Sequence, residues 1–128
     1  MKALAAVVFL HLAVSLVHGA AHQGARVELD SAGMLFVYVV IMAGPLVGIA
    51  LTMRSPQVGS SIVAITMAAS LVFGLVNHFI IQGADHVAHV DAAWRPLFTS
   101  SAVLLVVVEA TGAVVGARGA IRARRRTS

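Results

Sequence analysis

The fold is decided by residues 58–91, which read VGSSIVAITMAASLVFGLVNHFIIQGADHVAHVD. The stretch begins with an uncharged apolar run from Val58 to Ile81 and ends in a dense group of amide, imidazole and carboxylate side chains. An apolar run of this length predicts a helix that crosses the hydrocarbon core of a membrane. The polar group that closes it predicts that this end of the helix lies at a membrane surface.

The composition excludes a soluble domain. Of the 128 residues 59% are hydrophobic and 11% are charged, and the mean hydropathy is +0.95. A soluble domain carries about 25% charged residues, so this chain does not have enough charge to cover a surface facing water. Cysteine is absent, which excludes disulfides, thiolate metal sites and cysteine nucleophiles.

Three more apolar segments are present, two before this stretch and one after it, and the four predicted helices cover about residues 3–21, 33–53, 58–82 and 96–117. The N-terminal segment also has features of a secretory signal, with a possible cleavage site after Gly19. Its length up to Ala21 and the histidine in its middle, His11, favour a retained helix. We therefore predict an all-α, four-transmembrane-helix bundle that forms a single integral membrane domain over residues 1–128.

The distribution of basic residues predicts the orientation. With both termini cytoplasmic, seven Lys and Arg lie inside, namely Lys2, Arg54, Arg118, Arg122, Arg124, Arg125 and Arg126, against Arg26 and Arg95 outside. Basic residues of membrane proteins concentrate on the cytoplasmic side. The calculated pI of 11.2 therefore indicates a basic cytoplasmic tail over residues 118–128, with the lipid bilayer and not nucleic acid as the partner. We expect a plasma (inner) membrane location, with the histidine-rich loops on the periplasmic or extracellular side.

Small residues in two predicted helices indicate close helix packing. Gly44 and Gly48 are four residues apart in the second helix, and Gly112 and Gly116 repeat the spacing in the fourth. Small residues at this spacing let a neighbouring helix approach closely. Pro45 removes one backbone hydrogen bond and predicts a kink in the second helix.

A transition-metal site is the leading hypothesis for the polar residues. His18 and His22 share one face of the first helix, and helical rise places them at the membrane level of His78. His78, Gln82, Asp85 and His89 would share a face if the third helix continued through Gly83. Imidazole and carboxylate ligands suit Zn, Cu(II) or Fe. The candidate ligands are His18, His22, His78, Asp85, His86 and His89.

A second polar pair is predicted near mid-membrane. Helical rise places His11 and Glu109 at matching depth, roughly 12 Å from the cytoplasmic side. A lone ionisable side chain at this depth is costly, so we expect Glu109 to pair with His11 or to stay neutral and bond to a hydroxyl such as that of Thr66 or Ser15.

Three other functions remain open on sequence alone. The small size and glycine pairs suit an accessory or assembly subunit of a larger membrane complex, or a homo-oligomer. His18 and His78 are placed to bind haem b axially, although an aromatic content of 5% is low for a haem pocket. His11, Glu109 and the other histidines suit a proton or small-solute relay. No nucleophile motif, phosphate-binding loop or dinucleotide fingerprint is present, and catalysis is left undecided.

Overall fold

A computed structural model describes residues 1–126 and contains four long helices. They are α1 (Lys2–Ala25), α2 (Ser31–Thr52), α3 (Pro56–Ile80) and α4 (Arg95–Arg124). Each is long and apolar enough to cross a membrane, and the described residues contain no strand. The predicted all-α architecture of four membrane-length helices is confirmed, while the cytoplasmic placement of both termini stays a prediction.

Two of the helices extend beyond the predicted spans. α1 continues to Ala25 and ends where Arg26 adopts a left-handed conformation with φ 55°. α4 continues to Arg124, so most of the predicted tail is helical; Thr127 and Ser128 lie outside the described residues. The 30 residues of α4 give a length of about 45 Å, against about 30 Å of hydrocarbon. The arginines that begin at Arg118 end the apolar span, but the helix continues through them because alanine and arginine favour helix.

The second helix is irregular in its middle. Its first turn is capped by Asp30, whose Oδ1 accepts a hydrogen bond of 2.7 Å from the Gly33 amide. Residues Val37–Ala43 form a π-helical segment that ends directly before Gly44–Thr52. Pro45 follows this segment and has no amide to donate. No residue of Ser31–Ala43 is buried, whereas Pro45, Gly48 and Thr52 are.

The helices pack in the order α1, α4, α3, α2. α4 lies between α1 and α3, α3 also packs on α2, and α2 meets α1 mainly through Gly44–Thr52. We call the end of the bundle where α1 and α3 finish the histidine end, and the opposite end the basic end. Because α2 closes on α1 only toward the basic end, a space remains between the two helices toward the histidine end.

The predicted glycine pairs lie at the helix contacts. A Cβ on Gly48 would lie 2.6 Å from Val63 Cγ2, and one on Gly116 would lie 2.8 Å from the Ala64 amide nitrogen. A Cβ on Gly44 would meet Thr66, and one on Gly112 would meet Met67. Backbones therefore approach closely at Gly116, as expected for helices that must associate in lipid by packing alone.

Candidate metal centre

Three histidines converge at the histidine end of the bundle. His18 and His22 lie four residues apart on α1, and His78 lies near the end of α3. One ring nitrogen of each lies within 4.8 Å of those of the other two. The ring centroids of His18 and His22 are 4.8 Å apart, as are those of His18 and His78. This group, which we call the histidine cluster, could hold a metal ion.

The chain leaves α3 abruptly after presenting His78. Val76–Ile80 is π-helical, and Ile81 is extended with ψ 123°. The loop then folds back, so that the Val87 amide donates to the His78 carbonyl at 3.0 Å. The continuous helix through Gly83 on which one shared face depended is therefore not formed. Asp85 reaches the histidine cluster through this loop instead.

Hydrogen bonds on the far side of two rings fix their tautomers. The Ser101 hydroxyl donates to the Leu97 carbonyl at 2.6 Å, so its oxygen is left to accept from His18 Nδ1 at 2.9 Å. His78 Nδ1 lies 3.1 Å from the Asp85 carbonyl, which can only accept. These contacts favour the tautomer with the proton on Nδ1 in both histidines. The other nitrogen of each neutral ring, Nε2, is left with a free lone pair.

The third histidine follows the same pattern. His22 Nδ1 lies 3.4 Å from the Val27 carbonyl, so it too donates from Nδ1 and keeps its lone pair on Nε2. Metal-binding histidines characteristically donate their second ring nitrogen to an oxygen in this way, which orients the ring and fixes the tautomer.

The free nitrogens face other acceptors. His18 Nε2 lies 3.1 Å from His78 Nε2, and His22 Nε2 lies 3.3 Å from Asp85 Oδ1. With one proton on each Nδ1, these lone pairs are free to bind a cation placed among them, whereas a proton on Nε2 of His18 or of His78 gives a hydrogen bond between the two rings.

The Asp85 carboxylate is buried and unsatisfied. Both of its oxygens are buried and neither receives an aligned hydrogen bond, although Oδ1 is 3.2 Å from His78 Nδ1 and 3.3 Å from His22 Nε2. Oδ1 therefore lies close to both imidazole rings without forming an aligned hydrogen bond to either. A positive charge bound beside it would stabilise a buried carboxylate that has no donors.

Two residues on α4 complete the centre and were not singled out from the sequence. Phe98 is fully buried, and its ring centroid lies 4.8, 4.7 and 5.2 Å from those of His18, His22 and His78. Ser101 lies three residues later, on the same face of α4, and orients His18. Both residues lie in the first turns of the fourth predicted helix, level with the histidines. This position could have identified them from the sequence as neighbours of the cluster.

The other two predicted ligands lie elsewhere. His86 Nδ1 accepts from the Ala88 amide at 3.2 Å, and its Nε2 lies 3.3 Å from the Gln82 amide nitrogen. His89 is exposed and donates from Nδ1 to the Gly83 carbonyl at 2.8 Å. The rings of His86 and His89 contact each other at 5.4 Å. Of the six predicted ligands, the structure brings together His18, His22, His78 and Asp85.

The mid-membrane pair is in direct contact. His11 Nε2 lies 3.2 Å from Glu109 Oε1, and the Ser15 hydroxyl oxygen lies 3.4 Å from the same nitrogen. Relative exposure is 1% for His11 and 3% for Glu109, so both side chains are buried. Thr66, the other hydroxyl considered for Glu109, donates instead to the Ile62 carbonyl at 2.8 Å.

A cavity of about 690 Å³ joins the two polar groups. Toward the histidine end its walls include His18, His22, His78 and Asp85. Toward mid-membrane they include Ser15 and Glu109. The rest of the lining is mainly apolar and comes from all four helices, including the less closely packed half of α2.

No protein-family model, curated protein or solved structure matches the chain. Its class is therefore defined by its own fold and site. It is a bundle of four helices, each apolar enough to span a membrane, in which α1 and α3 bring together three histidines that could hold a metal.

Proposed function

We propose that the chain is a small integral membrane metalloprotein that binds one transition-metal ion at the histidine cluster. His18, His22 and His78 supply Nε2 ligands, and the Asp85 carboxylate balances the charge beside them. The observation that carries the proposal is the set of three Nε2 atoms whose rings already donate from Nδ1 to an oxygen.

The spacing fits a metal. Two nitrogens bound tetrahedrally at about 2.0–2.1 Å lie about 3.3 Å apart, close to the 3.1 Å between His18 Nε2 and His78 Nε2. Three neutral imidazoles with a nearby carboxylate suit Zn(II), Fe(II) or Cu(II). Three protein nitrogens also leave a position for an exogenous ligand, which is the arrangement of catalytic metal sites.

The same spacing does not fit axial haem ligation by His18 and His78. Metal–nitrogen bonds of about 2 Å would place two axial nitrogens about 4 Å apart on opposite faces of a porphyrin. The two Nε2 atoms are 3.1 Å apart, and the rings meet at an interplanar angle of 72° with centroids 4.8 Å apart. A porphyrin cannot pass between them, so we do not propose haem.

Elemental analysis of the detergent-purified protein after zinc loading and removal of excess metal tests the proposal. We expect one zinc per chain, and loss of that zinc in the double variant His18→Ala/His78→Ala. His89→Ala is the matched control, because this exposed imidazole lies outside the cluster, and it should keep the metal. Replacing zinc by Co(II) should give visible absorption typical of nitrogen ligation in the wild type and in His89→Ala, but not in the double variant.

A shared proton between His18 and His78 is the competing explanation of their contact. In that case the wild-type protein would hold no stoichiometric metal, or the double variant would hold as much as the wild type. Either result would contradict the metal proposal. Circular dichroism shows that each variant retains its helices, so that metal loss is not confused with unfolding.

We further propose that the histidine end faces the outside of a plasma membrane. The support is the charge distribution, because Lys2, Arg54 and the arginines from Arg118 onward lie at the opposite end. The centre then lies at the outer edge of the membrane.

A further inference from the structure

The cavity beside the histidine cluster opens toward lipid. Leu16 on α1 and Tyr38 on α2 both line it, and each is 61% exposed. Both residues lie within helices that are long and apolar enough to span a membrane. Since α1 and α2 separate at this level, a molecule dissolved in the bilayer can enter between them. The cavity volume of about 690 Å³ is within the usual range of small-molecule sites.

Polar groups stand at both ends of the cavity. Ser15 and His22 both line it, are both partly exposed, and lie seven residues apart on one face of α1. Seven residues of helix correspond to about 10 Å. The Ser15 end also holds Glu109, and the His22 end holds the proposed metal. The walls between these ends are mainly apolar.

We propose that the cavity binds the head group of a lipid-soluble quinone or hydroquinone. A para-quinone carries oxygens about 5 Å apart, so a hydrogen bond of about 2.8 Å at one end and a metal–oxygen bond of about 2.1 Å at the other give a span of about 10 Å. One oxygen reaches Ser15 and Glu109, and the other reaches the metal position at the histidine cluster. The apolar tail leaves between Leu16 and Tyr38. The assignment of the second oxygen rests on the proposed metal function.

Gly19 offers a way to fill the cavity without disturbing the fold. It lines the cavity, and a Cβ placed on it would meet no atom within 4 Å. Gly19→Leu therefore adds bulk where the head group is proposed to bind, and it removes no metal ligand. Ala20→Leu is the matched control, because Ala20 is the next residue, is exposed, and does not line the cavity.

Equilibrium binding of decylubiquinone to zinc-loaded protein in lipid nanodiscs tests the assignment. We expect saturable binding to the wild type and to Ala20→Leu, and at least a tenfold weaker affinity in Gly19→Leu. Ser15→Ala should weaken binding about fivefold, as expected for loss of one hydrogen bond. Zinc stoichiometry, measured on the same samples, should be unchanged in all three variants.

Equal affinity in Gly19→Leu and Ala20→Leu would place the quinone outside the cavity and overturn the assignment. No saturable binding to wild-type protein that carries one zinc would also overturn it, while leaving the metal function intact. Decanoate, with one polar end, is the comparison probe, and binding as tight as that of decylubiquinone would contradict a site built for two oxygens. Absence of zinc from the wild type would instead overturn the metal function and, with it, the second contact.

Discussion

At the scale of single residues, the support of the metal ligands matters as much as the ligands themselves. In the proposed site the Ser101 hydroxyl oxygen accepts a hydrogen bond from His18 Nδ1, which leaves Nε2 free to bind metal. Ser101→Ala removes this acceptor, and loss of such a supporting partner typically weakens metal binding 10- to 100-fold. We expect a decrease of about that size in zinc affinity, measured by competition with a chromogenic chelator.

Ser100→Ala is the control for this prediction. Ser100 is exposed and donates to the same Leu97 carbonyl at 3.2 Å, but it does not contact a histidine ring. The substitution should leave zinc affinity unchanged. If both serine variants bound zinc as tightly as the wild type, the orientation of His18 would not depend on Ser101.

The buried His11–Glu109 contact predicts a difference between two substitutions of the same residue. Glu109→Gln keeps an oxygen that can accept from His11 Nε2, so little loss of stability is expected. Glu109→Leu leaves the imidazole buried without its acceptor, which costs about 1–3 kcal/mol. The free energy of unfolding by SDS titration in mixed micelles measures both effects.

The double variant His11→Leu/Glu109→Leu, together with the single variants Glu109→Leu and His11→Leu, completes a double-mutant cycle for this pair. It should recover part of the loss, because it removes the unsatisfied group together with its partner. A Glu109→Gln loss as large as that of Glu109→Leu would instead indicate that a charged carboxylate stabilises the pair.

The sequence could predict the level of these residues but not their orientation. The rise of a helix was enough to bring His18 to the level of His78, and His11 to that of Glu109. The histidine tautomers could not be predicted from the sequence, because they depend on the Ser101 hydroxyl and on the Val27 and Asp85 carbonyls. Carbonyl positions follow from how the loops close, and an apolar periodicity carries no information about them.

At the scale of helices, the ends of the spans were less predictable than their existence. The end of α3 shows why. An apolar pattern continues to Ile81, but the last turn is π-helical and the chain turns away after Ile80. His86 and His89 were expected beside the cluster together with Asp85, but the turn carries them into a separate loop contact. Asp85 reaches the cluster through the same turn.

Helix packing predicts opposite effects for two glycine-to-alanine substitutions. A Cβ on Gly116 would meet the backbone of α3 at Ala64, 2.8 Å from its nitrogen. Because a backbone cannot move aside cheaply, we expect Gly116→Ala to destabilise the bundle by about 1–3 kcal/mol. Gly19→Ala enters open space and should be neutral or stabilising by up to about 1 kcal/mol.

Thermal unfolding in detergent, followed by circular dichroism, compares these two variants. The melting temperature should fall for Gly116→Ala and stay level or rise for Gly19→Ala. Equal melting temperatures would show that α3 and α4 can separate slightly at this contact without cost.

At the scale of the whole molecule, the arrangement of the helices follows from which faces can approach closely. Four apolar segments predict four helices, but apolarity does not rank their contacts, since lipid is as apolar as leucine. This order places α4 centrally and leaves α2 joined to α1 mainly near Gly44–Thr52. That incomplete closure creates the cavity, and no single segment of the sequence encodes it.

The charge asymmetry predicts which end of the molecule faces the cytoplasm, and the absence of cysteine makes this easy to measure. Ala88, in the loop at the histidine end, and Gln57, near the basic end, are both exposed. In intact bacterial spheroplasts we expect Ala88→Cys to react with a membrane-impermeant maleimide. Gln57→Cys should react only after the membrane is permeabilised.

The orientation also decides what can reach the metal. Seven of the nine basic residues lie at the basic end, and the proposed cytoplasmic location of that end would set the direction of all four helices, because each turn connects neighbouring spans. With the histidine end outside, metal arrives from the exterior, and the cavity also opens toward the bilayer between α1 and α2. Labelling of Gln57→Cys in intact spheroplasts, with Ala88→Cys protected, would show the opposite orientation. The histidine cluster would then receive its metal from the cytoplasm.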